Sequence, residues 1–151
     1  MATDDTAQQD GEIARRLRAH LLAVPYLVAL GAEVAEARRG FCALRLAVRP
    51  DFLQEFGHVH GGLVATLADA AAGGAVHTVL PAERGAVTVE FKLNYLAPAV
   101  APLLLARAEV LRNGRTLIVI RGTVHGVTER SETLCASGLF TYLSRAPSRN
   151  G

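Results

Sequence analysis

The chain has 151 residues, enough for one domain with a real core. Half of its residues are hydrophobic, and a net charge of +2 arises from 16 basic and 14 acidic side chains interspersed along the sequence. That balance excludes the basic stripe or cluster a nucleic-acid-binding surface needs, and 2 cysteines without a CxxC give no strong metal spacing.

Met1–Gly11 is polar and acidic rather than basic and then apolar, so no secretory signal is expected, and Met1–Asp10 is expected to be disordered. Across Gly11–Val24, Ile13, Leu17, Leu21 and Leu22 recur at helical spacing with arginines opposite. The pattern predicts a short amphipathic helix ended by Pro25. Residues 1–25 therefore read as tail and short helix, 26–145 as one domain, and 146–151 as a polar tail. Strands are predicted over Ala32–Arg38 and Phe41–Val48, about a turn at Arg39-Gly40. Arg49-Pro50-Asp51 stops the second strand, and Asp51–Val59 reads as a loop. Cys42 and Cys135 both fall in apolar runs, the pattern of reduced core cysteines in a cytosolic protein.

From Gly61 to Leu80 the chain reads as one helix, apolar on nearly every side, and such a helix is a buried helix. By length it could span a membrane; Asp69 at its middle, its glycines and its flanking histidines argue against that. Gly73-Gly74 cost about 1 kcal/mol each against alanine and are read as a close helix approach at a dimer interface. After Gly85 the period becomes two. Val87, Val89, Phe91, Leu93 and Tyr95 alternate with Thr88, Glu90, Lys92 and Asn94, a half-buried strand. Leu103–Arg112 and Arg115–His125 flank Asn113-Gly114, a strong hairpin signal. Glu132–Leu143 is a last strand with Leu134, Ala136, Gly138, Phe140 and Tyr142 on one face. This order predicts an α+β domain, an antiparallel sheet of five or six strands wrapped around one long central helix. The strand Val87–Tyr95 is expected to pair with its symmetry mate in a homodimer, since so regular and apolar an edge should not stay open.

An aspartate rarely goes inside without a partner or a task. Asp69 sits on the helix whose first turn offers the bare N–H groups of Gly61 and Gly62, and helix N-termini attract developing negative charge. Asp69 follows Gly61 by eight residues, about 12 Å along the axis. A carbonyl held at the helix start cannot be attacked by the same chain's Asp69, so two antiparallel helices of a twofold dimer must supply one site. Gly61 then polarises the carbonyl, Gln54 donates a second hydrogen bond, and Asp69 of the other subunit activates water or attacks as nucleophile. A thioester suits this set because a thiolate leaves without a strong general acid. His60 reads as an orienting donor rather than the base. His58 and His60 make a poor metal site, having no third ligand nearby. His20, His77 and His125 have no meaningful spacing. Phe56, Leu53 and Tyr95 are candidate pocket walls.

His60-Gly61-Gly62, Asp69 nine after the histidine, and Val87-Thr-Val-Glu-Phe-Lys-Leu-Asn-Tyr-Leu-Ala-Pro98 together resemble the hotdog-fold acyl-CoA thioesterases of the PaaI-like, phenylacetate-degradation type. The resemblance spans roughly Ala32 to Tyr142. It implies hydrolysis of aryl or short- to medium-chain acyl-CoA, no cofactor beyond the coenzyme A of the substrate, a cytoplasmic location and a dimer-of-dimers tetramer. By motif, Asp69 matches the catalytic carboxylate, Gly61 the oxyanion donor and His60 the preceding histidine. Thr88 matches a strand hydroxyl that helps hold the water, and Gly62, Asn94 and Phe56 join it as candidate substrate-binding residues. Gln54 departs from the asparagine that many aspartate-bearing relatives carry there; glutamine is familiar in hydroxybenzoyl-CoA-type members, which usually pair it with Glu. Two other readings share the fold: a non-catalytic acyl-CoA-binding module and a 3-hydroxyacyl thioester dehydratase.

Overall fold

The computed structural model describes residues 2–145, with side chains from Thr6 onward. It contains α1 (Ala2–Leu22), α2 (Pro25–Leu30), β1 (Glu33–Arg38), β2 (Phe41–Ala47), a 3-10 turn at Pro50–Phe52, α3 (Gly61–Val79), β3 (Gly85–Tyr95), β4 (Leu103–Asn113), β5 (Leu117–Val127) and β6 (Glu132–Arg145). The strands form one antiparallel sheet in the order β1-β2-β4-β5-β6-β3. All six pack against α3, so the sheet curls around that helix as its apolar composition requires. Val64, Leu67, Ala71, Ala72, Ala75 and Val76 of α3 are almost wholly buried, against Leu44, Leu104, Ile118, Ile120, Val124 and Phe140 of the strands. The alanines let the strands approach closely on every side but one. On that side Ala65, Thr66, Asp69, Ala70, Gly73 and His77 remain half-buried.

The N-terminus corrects the expected disorder of Met1–Asp10: α1 begins at Ala2. Gly11 inside the helix costs only about 1 kcal/mol. Met1 and the polar tail 146–151 lie outside the described residues. Pro25 ends α1 as expected but also opens α2, because proline's fixed φ and missing N–H suit the first helical turn.

Three strand details differ from the simple alternation. In β3 the pairing shifts register between Thr88 and Glu90, leaving Val89 as an extra residue. Thr88 therefore shares the inner face with Phe91, Leu93 and Tyr95, while Val87 turns outward opposite Leu143. In β6 the shift at Cys135 places Leu134 on the outer face, 40% exposed, rather than with Ala136. In β4 a bulge at Leu111 carries Asn113 into the strand opposite Ile118, so the turn follows Gly114 instead of centring on Asn113-Gly114.

Within the chain, Gly73-Gly74 also let strand side chains approach the helix closely. A Cβ on Gly74 would lie 2.6 Å from Cys42 Sγ, and one on Gly73 would lie 3.1 Å from the Tyr142 hydroxyl. Burial pushes the Cys42 thiol up to about 12, so it packs there as an inert thiol.

Candidate active site

Two half-sites lie along α3. The first is at its N-terminus. His60 caps the helix, with Nδ1 accepting the Gly62 N–H at 2.9 Å. The neutral ring therefore carries its proton on Nε2, leaving that atom as a donor. Gly62 N–H is thus already engaged, whereas Gly61 N–H makes no hydrogen bond among the described residues. Gln54 Oε1 accepts the Phe56 N–H at 2.6 Å. This fixes the amide orientation and leaves the NH₂ as its donor end, 3.4 Å from His58 Nδ1. Gln54, His58, Gly61 and Tyr95 line one cleft of about 370 Å³. Tyr95 closes it from β3 by donating its hydroxyl to Gly61 O at 2.7 Å. Phe56, 75% exposed, and Leu53 lie on the loop outside the cleft.

The second half-site is Asp69. Thr88 Oγ1 donates to its carboxylate, 3.0 Å from Oδ1 and 3.3 Å from Oδ2. The Tyr142 hydroxyl lies 2.7 Å from Oδ1 and 2.7 Å from the Asp69 backbone oxygen. Burial pushes that hydroxyl well above its usual range, so it remains a donor at every working pH. Oδ1 is held twice and Oδ2 only by the longer Thr88 contact, which leaves Oδ2 the freer oxygen. The β3 bulge is what delivers Thr88 here. Asn94, beyond the bulge and opposite Ser137, lies on the outer face, and the chain does not bring it to Asp69. Sequence reasoning placed Tyr142 on one face of the last strand without a role; the signal was a phenol among apolar residues of that face, where its hydroxyl must find a partner once buried.

Asp69 opens onto a groove of about 430 Å³ walled by Leu17 and Leu21 of α1, Tyr26 and Leu27 of α2, and Tyr142. The N-terminal helices therefore do more than cover the core: they form one wall of the site. At the far end the His20 and His77 rings meet at 4.1 Å between centroids.

Removing the Tyr142 hydroxyl tests its hold on Asp69. Tyr142→Phe should lower kcat on a thioester roughly tenfold with little change in KM, the cost of one hydrogen bond to a charged group. An unchanged kcat would show that Thr88 alone positions the carboxylate. His77 gives a pH prediction. Burial, reinforced by His20 and Arg16, lowers its pKa to about 4 from 6.5. The unfolded chain takes up this proton at pH 6.5 and the folded chain only near 4. Stability should therefore fall as pH drops through that window and level off below it. His77→Gln should remove on the order of 1–2 kcal/mol of that loss, allowing for partial exposure. Thermal melts from pH 7 to 4 read this directly, and parallel curves for the two proteins would contradict it.

A curled antiparallel sheet around one long central helix defines the hotdog fold. The thioesterase superfamily model matches residues 56–133, and the chain belongs to that superfamily. Over 109 residues it is 32% identical to a 1,4-dihydroxy-2-naphthoyl-CoA hydrolase of Listeria monocytogenes, covering 72% of this chain and 86% of the relative. A thioesterase family protein from Silicibacter pomeroyi superposes with a TM-score of 0.85 at 30% identity, covering 89% of this chain and 98% of that one. The E. coli PaaI protein of the phenylacetic acid degradation operon shares the fold at TM-score 0.77 and 21% identity, covering 89% and 97%. The protein is a thioester hydrolase.

Proposed function

We propose that the protein hydrolyses acyl-CoA thioesters, aryl or short- to medium-chain, to the free acid and CoA, at a site shared by two subunits of a homodimer. The observation that carries this reading is the separation of the half-sites. Asp69 is held by Thr88 and Tyr142 beside an apolar groove. The free Gly61 N–H lies about 12 Å away on the same helix. In an antiparallel helix pair the Gly61 N–H and the Gln54 amide of one subunit take the substrate carbonyl oxygen, and Asp69 of the other faces the carbonyl carbon. Two routes use the same carboxylate. As a base, Asp69 removes a proton from water while the water oxygen bonds to the carbonyl carbon. As a nucleophile, it bonds to that carbon itself, and water then cleaves the anhydride. Either way the oxyanion rests on the helix end and collapses with loss of the CoA thiolate. The acyl group lies against Leu17, Leu21, Tyr26 and Leu27. No cofactor takes part beyond the coenzyme A of the substrate, and a cytoplasmic location suits that substrate.

The open edge supports the dimer. Val89, Phe91 and Tyr95 are 40–55% exposed along β3, an unpaired sheet edge. Sedimentation at micromolar concentration should give a dimer or a tetramer built from it; a monomer would count against the shared site. Function is tested on a panel of acyl-CoAs, following CoA release and hydration of the matching enoyl thioesters together. Release of CoA is expected. Hydration without release would favour a dehydratase, and binding with neither would favour a binding module.

A further inference from the structure

A cavity of about 760 Å³ lies past the Asp69 groove at the C-terminal end of α3. It adjoins that groove, sharing Leu17, His20, His77 and Ala86 with it. Its walls carry Arg16, Arg84 and Arg145 against a single lining carboxylate, Glu83. Six of the other arginines, Arg15, Arg38, Arg45, Arg49, Arg107 and Arg121, each have a carboxylate partner. Among the described residues, the three on this cavity have none. Arg16 gives one N–H to His77 O at 2.8 Å, and Arg84 Nε is buried with no hydrogen-bond partner. A buried donor left unsatisfied is costly, and a cationic one calls for an anionic acceptor. The pKa of His77 is lowered chiefly by burial, with His20 and Arg16 beside it adding to the effect.

We propose that this cavity takes the phosphate-bearing end of the thioester substrate, with Arg84, Arg145 and Arg16 as its cationic partners. The proposal rests on the thioesterase reading and extends it. The cleft is then amphipathic along α3. The apolar walls near Tyr26 and Leu27 hold the acyl group, Asp69 faces the thioester, and the arginines meet the phosphates. Asp69 and His77 are eight residues apart, about 12 Å of helix, a reach suited to the extended arm between a CoA sulfur and its pyrophosphate.

The test compares an acyl-CoA with the same acyl group on N-acetylcysteamine, which lacks phosphate, in Arg84→Gln and separately in Arg145→Gln. Arg145 is exposed, so its variant folds even if the buried Nε of Arg84 proves structural. Each variant should raise KM for the acyl-CoA about tenfold, keep kcat, and leave the N-acetylcysteamine thioester unaffected, because uniform binding is lost and the chemistry is not. Calorimetric titration with free CoA should weaken in parallel, and inorganic phosphate alone should bind far more weakly than CoA. Unchanged KM in both variants, equal loss on both substrates, or phosphate binding as tight as CoA would overturn the proposal. If the wild type hydrolyses neither thioester, the thioesterase reading fails and the CoA titrations decide alone. Weakened CoA binding in the variants then supports the cavity, and unchanged binding overturns it.

Discussion

Asp69→Asn should abolish thioester hydrolysis while leaving the fold and CoA binding intact. Asparagine keeps the size of the side chain and an oxygen that can still accept from Thr88 and Tyr142. It removes the charge that takes a proton from water or attacks the carbonyl. Losing such a group costs at least ~10²–10⁴ in rate. Asp69 is half-buried at the edge of the core rather than inside it, so the melting temperature should stay close to wild type. Single-turnover assays beside a CoA titration separate the two effects. Hydrolysis within tenfold of wild type would assign the chemistry to another group. Loss of CoA binding together with a lowered melting temperature would make Asp69 a structural carboxylate.

Mixing two inactive variants should restore activity. The partner for Asp69→Asn is Gly61→Pro, which deletes the backbone N–H proposed to hold the oxyanion beside the Gln54 amide. Proline is tolerated at the first helical position, where that N–H has no helical partner. The residue ahead, His60, sits at φ −58° and ψ 133°, the extended conformation that a following proline requires. The nearest atoms to an ideal Cβ there belong to the Tyr95 side chain, at 3.3 Å and 55% exposed, which can give way. The His60 cap on Gly62 is untouched. Alone, Gly61→Pro should lower kcat by ~10²–10³, the cost of one oxyanion donor. In a mixed dimer, one site combines both defects and the other has neither, so each mixed dimer should recover about half of wild-type activity by twofold symmetry. If both groups acted within one chain, every site would carry one defect and nothing would return. Mixed dimers shown to form by native mass measurement but lacking activity would therefore rule out the shared site.

The sequence by itself determined the central helix, the strands, and the carboxylate and bare helix start that α3 carries. Gly61–Val79 is apolar on nearly all sides, which only burial satisfies, and one aspartate in such a helix stands out because its desolvation must be answered. The spacing from Gly61 to Asp69 was legible because helix rise is fixed. Tertiary structure decided what depends on register. Thr88 belongs by alternation with Glu90 and Lys92, and only the extra residue at Val89 turns it inward to Asp69. Tyr142 becomes a partner of Asp69 because β6 lies beside β3 and Gly73 leaves room for its hydroxyl, two facts separated in sequence by the whole second half of the fold. Gly74 sits where Cys42 of β2 packs against α3, a contact no local pattern announces. The same limit applies to Arg16, Arg84 and Arg145, which look like ordinary surface charges until the curl of the sheet gathers α1, the loop after α3 and the end of β6 around one cavity. Local pattern encodes which residues go inside; bulges and strand order, set by packing over the whole domain, decide which of them meet.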